Sequence, residues 1–231
     1  VAALLARGCG SAARAGAAPS ARYRAYSLHP GPGEAPVGEA AWLESHGYAA
    51  TEWGASLLRP HLDDIADPAE LALPDGVEVR PVTPDQVRSI WEEHWEAFRG
   101  QWDFKEATDD EIDEHVKDPI LSDISLWKVA WAGDQVVGQV KSFINHEENE
   151  ERGYLRGYAE YISTHRDWRN RGIASALLAM SLHELRDRGM TEAMLGVDTN
   201  NPGGALHVYT RLGFAVRKYD AVYTKPISRP I

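Results

Sequence analysis

A chain of 231 residues, 43% hydrophobic and 26% charged, has the make-up of a soluble globular protein of one large domain or two small ones. Its net charge of −11 argues against a nucleic-acid partner, which needs clustered Lys and Arg, and no apolar run is long enough to cross a bilayer. Cys9 is the only cysteine, so neither an intrachain disulfide nor a cysteine-based metal site can form, and a reducing cytoplasm suits the chain.

The stretch from Val1 to Pro19 is rich in alanine, but Arg7 and Arg14 interrupt it and no basic stretch precedes its short apolar run, unlike a signal peptide. The chain starts with Val rather than Met, so we expect further residues upstream. From Gly76 onward the alternation of elements is clear. Val77–Pro81 reads as a short strand. Thr83 caps a helix through about Phe98, with Pro84 at its first position. Thr108–Val116 reads as a second helix, with Thr108 and Glu111 at capping-box spacing and Pro119 ending it. Leu126–Trp131 and Gln135–Ile144 form a hairpin across the turn Ala132-Gly133-Asp134, and His146–Arg152 reads as a charged connection. Tyr154–Thr164 is a long strand. Gly172–Arg188 is a helix closed by Gly189, Thr191–Val197 a strand, Gly203–Leu212 a short helix, and Phe214–Lys225 one or two last strands. The order β-α-α-β-β-β-α-β-α-β predicts an α/β protein with a mixed sheet and helices on its faces.

Between a strand and a helix lies Arg169-Asn170-Arg171-Gly172-Ile173-Ala174. Backbone N–H groups at a helix start bind anions, helped by the helix dipole. Gly172 and Ala174 let a pyrophosphate approach the backbone, while Arg169 and Arg171 add positive charge. As a bare string this is an ordinary basic loop; its place between strand and helix makes it a phosphate loop. The stretch Tyr161–Ala174 resembles the acyl-CoA-binding signature of the GNAT acetyltransferase superfamily. The run from Asn201 to Phe214 is similar to that family's N-x-x-x-A-x-x-x-Y-x-x-x-G-F pattern, at the family's usual distance. The resemblance covers about two-thirds of the chain.

It implies the GNAT acyl-CoA N-acyltransferase fold and acetyl-CoA as co-substrate, with an amine acceptor, no metal, no nucleic acid and no membrane; a homodimer is compatible with it. The strand before the loop would carry a bulge and splay from its neighbour. Backbone groups of Ile162, Ser163 and Thr164 would pair with the pantetheine arm, and N–H groups from Arg169, Asn170, Arg171, Gly172, Ile173, Ala174 and Ser175 would hold the pyrophosphate. Asn201 matches a position that orients the pantetheine, and a plain helix-cap role fits it equally. In the family, transfer is direct, so positioning supplies much of the rate, and a backbone N–H of the splayed strand polarises the carbonyl. Tyr209, one turn after Ala205, is the candidate acid for the leaving thiolate, and Glu160 is the candidate base. Glu160 shares a strand face with Tyr158 and Ile162; a solvated or salt-bridged role suits it as well, and Tyr161 and His165 are alternatives. Trp91, Trp95, Phe98 and Trp102 recur at helical spacing and read as a core face, with an acceptor-site wall as the alternative. The other class of function open to such a chain is a non-catalytic acyl-CoA-binding or sensing module, which has no need of an acid at Tyr209.

The first part of the chain repeats the last. Gly47-Tyr48-Ala49 and Gly213-Phe214-Ala215 stand 166 positions apart, and the same offset pairs Trp53 with Tyr219, Arg59 with Lys225 and Leu43 with Tyr209. Ala3–Ala6 resembles Ala176–Ala179, and Gly16 resembles Gly189. Residues 1–60 therefore resemble the C-terminal half of a degenerate GNAT-like domain, supplying a helix, a strand, a short helix and a final strand pair. They lack a phosphate loop. Residues 61–75 read as a linker and 76–231 as the complete catalytic domain. This tandem organisation, with the run Val197–Pro202, resembles the mycothiol synthase branch of the family.

Overall fold

The structure is a computed structural model and describes residues 22–65, 71–99, 105–199 and 205–226, with side chains from Leu28 onward. Cys9, Trp102, Asn201 and the repeat stretches at 3–6 and 16 lie outside the described residues.

Packing divides the chain into two compact units, one taking in Val1–Leu58, Gly196–His207 and Ala215–Ile231, the other Arg59–Leu195 and Val208–Phe214. In the first, β1 (Arg22–His29), β8 (Ala215–Pro226) and β2 (Ala49–Pro60) lie side by side in that order, all antiparallel. The last described strand is thus inserted between two strands of the first sixty residues. Helix α1 (Gly38–Ser45) packs Ala40 and Leu43 against Ala221 and Tyr223 of β8.

The pairing of β2 with β8 is symmetric under the offset of 166. Ala49 opposes Thr224 and Leu58 opposes Ala215, which are the same pair with the repeats exchanged. The register shift after Ala50 leaves Thr51 as an extra residue, and the shift after Ser56 leaves its counterpart Arg217. Gly54 opposes Asp220 at the centre. The two strands have the same length and bury the same stretch, Ala55–Leu57 and Ala221–Tyr223. The expected one or two final strands are a single strand here, bent by its extra residue.

The second unit carries the first part, Glu192–Leu195, of β7 (Glu192–Asp198), then β6 (Arg156–Thr164), β5 (Gln135–Phe143), β4 (Lys128–Ala132) and β3 (Val77–Arg80) in that order. Only the β6–β7 pair is parallel among these pairings. Helix α5 (Ile173–Asp187) buries Leu177, Leu178, Leu182 and Leu185. Two glycines let it sit close to the strands. A Cβ on Gly138 would stand 2.5 Å from Ile173 Cγ2, and one on Gly157 would stand 2.5 Å from Leu185 Cδ2.

Helix α2 (Val87–Glu96) follows a short turn whose start carries the Thr83–Gln86 capping box, and α3 (Asp109–Val116) starts at the Thr108–Glu111 box. The hairpin strand β4 begins two residues later than expected, because Ile124–Leu126 forms a 3-10 turn held by Asp123. The charged connection is corrected: His146–Arg152 is a helix, α4. Asn145 caps it by accepting from Glu148 N–H, and Gly153 ends it in the left-handed region. Asn149 then exchanges bonds with the backbone of Arg156, and Tyr158 donates to Glu148 at 2.7 Å, so the helix is fixed by β6 rather than by an apolar face of its own. Among the described residues no helix is long and apolar enough to cross a membrane.

Candidate acyl-CoA site

The site is built where β6 turns into α5. Along β6 the ladder with β5 passes from Lys141 opposite Glu160 to Gln139 opposite Ser163. Two residues, Tyr161 and Ile162, stand against the single residue Val140, which makes a bulge. Tyr161 has φ +51°, a left-handed conformation that costs a side-chain-bearing residue about 1 kcal/mol or more. On the other side, the parallel ladder with β7 covers Arg156 to Tyr158, and the stretch 159–164 lies beyond it. The bulge breaks strict alternation, so the expected common face of Glu160 and Ile162 does not follow from spacing alone.

After Thr164, the turn Arg166–Trp168 leads into Arg169, and Asn170 (φ +60°) and Gly172 (φ +83°) bring the chain to the start of α5. The first helical bond runs from Ala176 N–H to Gly172 C=O. The N–H groups of Ile173, Ala174 and Ser175 therefore have no intrahelical acceptor, as an anion site at a helix start requires. Arg169 donates to the carbonyls of Thr164, at 3.3 Å, and Ala97. Those bonds tie the loop to the end of α2 and leave the positive charge in place. The Arg171 guanidinium lies 4.8 Å from the Trp168 ring centroid and is exposed. Ile162, Ser163, Thr164 and residues 169–175 thus form one continuous corner. Asn201 lies outside the described residues.

Tyr209 lies on α6 (Ala205–Arg211) and is buried. Burial first, and the Glu160 carboxylate second, push its phenol above the ordinary value, so it keeps its proton through the neutral range. The two residues read as acid and base are therefore within electrostatic reach of each other.

The aromatic spacing of α2 yields a buried Trp91, with Trp95 and Phe98 half-buried. Two basic residues that spacing did not single out share this shell. His94 Nδ1 stands 3.2 Å from Ser163 Oγ, and Lys141 Nζ lies 3.8 Å from the Trp91 ring centroid. Burial, then Lys141 and His115, hold the His94 imidazole well below its ordinary pKa. Among the described residues no cluster of His, Cys, Asp or Glu is arranged to hold a metal ion.

The sequence pattern of the Acetyltransferase (GNAT) family matches residues 87–214, from the start of α2 to Phe214, just past the Tyr209 helix. A mycothiol acetyltransferase of Streptomyces scabiei is 29% identical over 167 residues, which cover 72% of this chain and 51% of that protein. The chain spans about half the length of the first curated relatives it matches. A GCN5-related N-acetyltransferase of Sphaerobacter thermophilus superposes with a TM-score of 0.70 at 25% identity, over 93% of this chain and 63% of that one. A tandem GNAT protein from the clavulanic acid biosynthesis pathway shares the fold, with a TM-score of 0.60 at 13% identity over 91% of this chain and 65% of that one. With more than half of its length matched by the family pattern, over the elements that carry the Arg169–Ser175 loop, the chain belongs to the GNAT acetyltransferase family.

Proposed function

We propose that the chain transfers an acetyl group from acetyl-CoA to a primary amine by direct attack in a ternary complex. The neutral amine nitrogen attacks the thioester carbon, the C–S bond breaks, and the thiolate leaves. Glu160, directly or through a water, takes the proton the acceptor must lose; Tyr209 gives a proton to the sulfur. The pyrophosphate binds the N–H groups of the corner from Arg169 to Ser175, and the pantetheine arm runs along Ile162–Thr164. A backbone N–H of the bulged strand polarises the carbonyl, so no acyl-enzyme is needed. Asn201 orients the pantetheine or the helix start.

The observation that carries this reading is Tyr209: a buried phenol, kept protonated and within reach of the Glu160 charge. A module that only binds acyl-CoA has no use for that pair. We read residues 1–60 as the degenerate half of a tandem, 61–75 as the linker and 76–231 as the catalytic domain, acting in the cytoplasm. The symmetric register of β2 with β8 supports the tandem. The deciding experiment is an acceptor screen that reads released CoA thiol, with small amines, aminoglycosides and amine precursors of low-molecular-weight thiols, mycothiol's among them. Turnover with one acceptor class identifies the substrate. Acetyl-CoA binding with no thiol release from any amine would leave the chain a binding module.

A further inference from the structure

Lys141 is the one lysine among the buried polar residues described and is fully enclosed. Its Nζ lies 3.8 Å from the Trp91 ring centroid, 5.4 Å from that of Trp127 and 5.9 Å from that of Tyr161. Its hydrogen bond goes to Gln139 Oε1, and among the described residues no carboxylate forms an ion pair with it. A lysine nitrogen buried without a counter-ion costs desolvation whether it keeps its proton or sheds it, and a methionine would fill the same space without that cost. Packing alone therefore does not account for a lysine here.

Its position does. Lys141 opposes Glu160, the last residue of β6 before the bulge, and Gln139 opposes Ser163, the first after it. The lysine and its hydrogen-bond partner thus bracket the bulge from the facing strand. Tyr161 holds its left-handed backbone with its ring set edge-on against Trp91 at 4.7 Å, and close to His94 and His115. Trp91 is the shared wall: Lys141 covers its face, and Tyr161 and Trp127 meet it at nearly right angles. The polar tip of Lys141 fills the space on which the ring arrangement closes.

We propose that Lys141 is a positioning residue for acyl transfer, which holds the Tyr161 bulge in place by closing the ring cage of Trp91, Trp127 and Tyr161. The proposal rests on the acetyl-transfer reading above, in which a backbone N–H of this strand polarises the thioester carbonyl. A shift of the bulge by a fraction of an ångström would misdirect that N–H while leaving the pyrophosphate corner, at the start of α5, untouched.

The test compares wild-type protein with Lys141→Met in thermal melting, acetyl-CoA calorimetry and steady-state turnover on the acceptor found by the screen. Lys141→Met is expected to melt no lower than wild type and to bind acetyl-CoA within about threefold, while kcat falls about tenfold or more. Amide exchange at Tyr161 and Ile162 should quicken with the rest of β5 and β6 unchanged. Trp91→Phe keeps an aromatic face but a smaller one for the Lys141 tip and the Tyr161 ring to pack on, and should lower kcat in the same direction by less. Wild-type kcat in Lys141→Met, or a loss confined to melting temperature and KM, overturns the proposal. Should Lys141→Met fail to fold, an unchanged kcat in Trp91→Phe overturns it instead. Wild-type protein that neither binds acetyl-CoA nor turns over sinks the transferase reading and this one together. Normal wild-type turnover with an indifferent Lys141→Met sinks this one alone.

Discussion

Arg59 donates from Nη1 to the carbonyl of Leu212, at 2.5 Å, just past the helix that carries Tyr209. Its counterpart 166 positions on, Lys225, donates to the carbonyl of His46 at 2.6 Å, just past α1. In each case a cation at the end of a strand satisfies the last carbonyls of a helix, where the dipole also favours positive charge. The Arg59 side chain is nearly buried and also meets Asp64 at 2.6 Å. Arg59→Met should therefore cost about 1.5–3 kcal/mol of stability, the usual range for a lost charge-assisted bond. It should also lower kcat, because α6 fixes the Tyr209 phenol. Urea melts and turnover measured on one preparation check both; a stability loss with unchanged kcat would mean that α6 stays in place without its cap.

Gly172→Ala separates backbone strain from cofactor contact. A Cβ at this position meets nothing closer than the Ala72 carbonyl oxygen at 4.0 Å, so there is room for it in the free protein. The φ of +83° alone should cost about 1–2 kcal/mol. A pyrophosphate seated on the N–H groups of Ile173–Ser175 would meet the added methyl. Acetyl-CoA affinity is then expected to fall by about tenfold or more, beyond what the stability loss explains. Calorimetry at a temperature where both proteins are fully folded reads the difference. Equal affinities would move the phosphates elsewhere.

Tyr209→Phe should lower kcat by about a hundredfold or more, as expected for loss of a general acid, with acetyl-CoA affinity kept. The pH dependence carries a sign. The folded phenol titrates above its ordinary value of 10.0, so the proton is present at every pH below that. The ratio of wild-type to Tyr209→Phe kcat should stay constant up to pH 10. A ratio that declines between pH 7 and 9 would show that the acid is another group. For stability, the neutral phenol favoured by the fold contributes fully below pH 10, and that contribution is lost as pH rises above it.

His94 and Lys141 give a second pH signature, of opposite direction. Burial holds both below their ordinary values of 6.5 and 10.5. The unfolded chain therefore binds protons that the fold refuses, and stability falls as pH drops. For Lys141 the loss begins below pH 10.5 and continues to its folded pKa; for His94 it begins below pH 6.5. His94→Phe should flatten the fall in melting temperature between pH 6.5 and 5. Lys141→Met should gain stability over wild type at pH 7 relative to pH 10.5. Parallel curves in either comparison would show that the group titrates normally.

The caps and the start and end of α5 could be read from residue types, because each rests on local chemistry: Thr108 with Glu111, Gly172 opening α5 and Gly189 closing it. What escaped reading was set by contacts distant in sequence. The α4 helix has no apolar stripe, and its stability comes from Asn149 and Glu148 bonding to β6. That Lys141 of β5 would meet Trp91 of α2, and that Trp91 would meet His115 of α3, could not be read from the hairpin pattern, because those contacts join residues far apart in sequence. The place of β8 between β1 and β2 was equally hidden, since β2 and β8 have the same length and nearly the same burial pattern and so offer equivalent pairing patterns.

The centre of that pairing is Gly54 opposite Asp220, and it makes a coupled prediction. A Cβ on Gly54 would stand 2.6 Å from Asp220 Oδ2, so one of the two must move. The Asp220 carboxyl is half-buried, and burial raises its pKa, so it already resists ionisation there. Gly54→Ala in the wild-type background should cost about 1–3 kcal/mol by overpacking. In the Asp220→Ala background the obstruction is gone, and φ at Gly54 is not in the left-handed region. There the same substitution should cost nothing or stabilise by about 0.4–1 kcal/mol, because alanine narrows the unfolded ensemble. A double-mutant cycle by urea denaturation measures the coupling. A cycle that closes additively would show that Asp220 swings clear at no cost, and that the asymmetry between Gly54 and its repeat partner has no energetic role in the pairing.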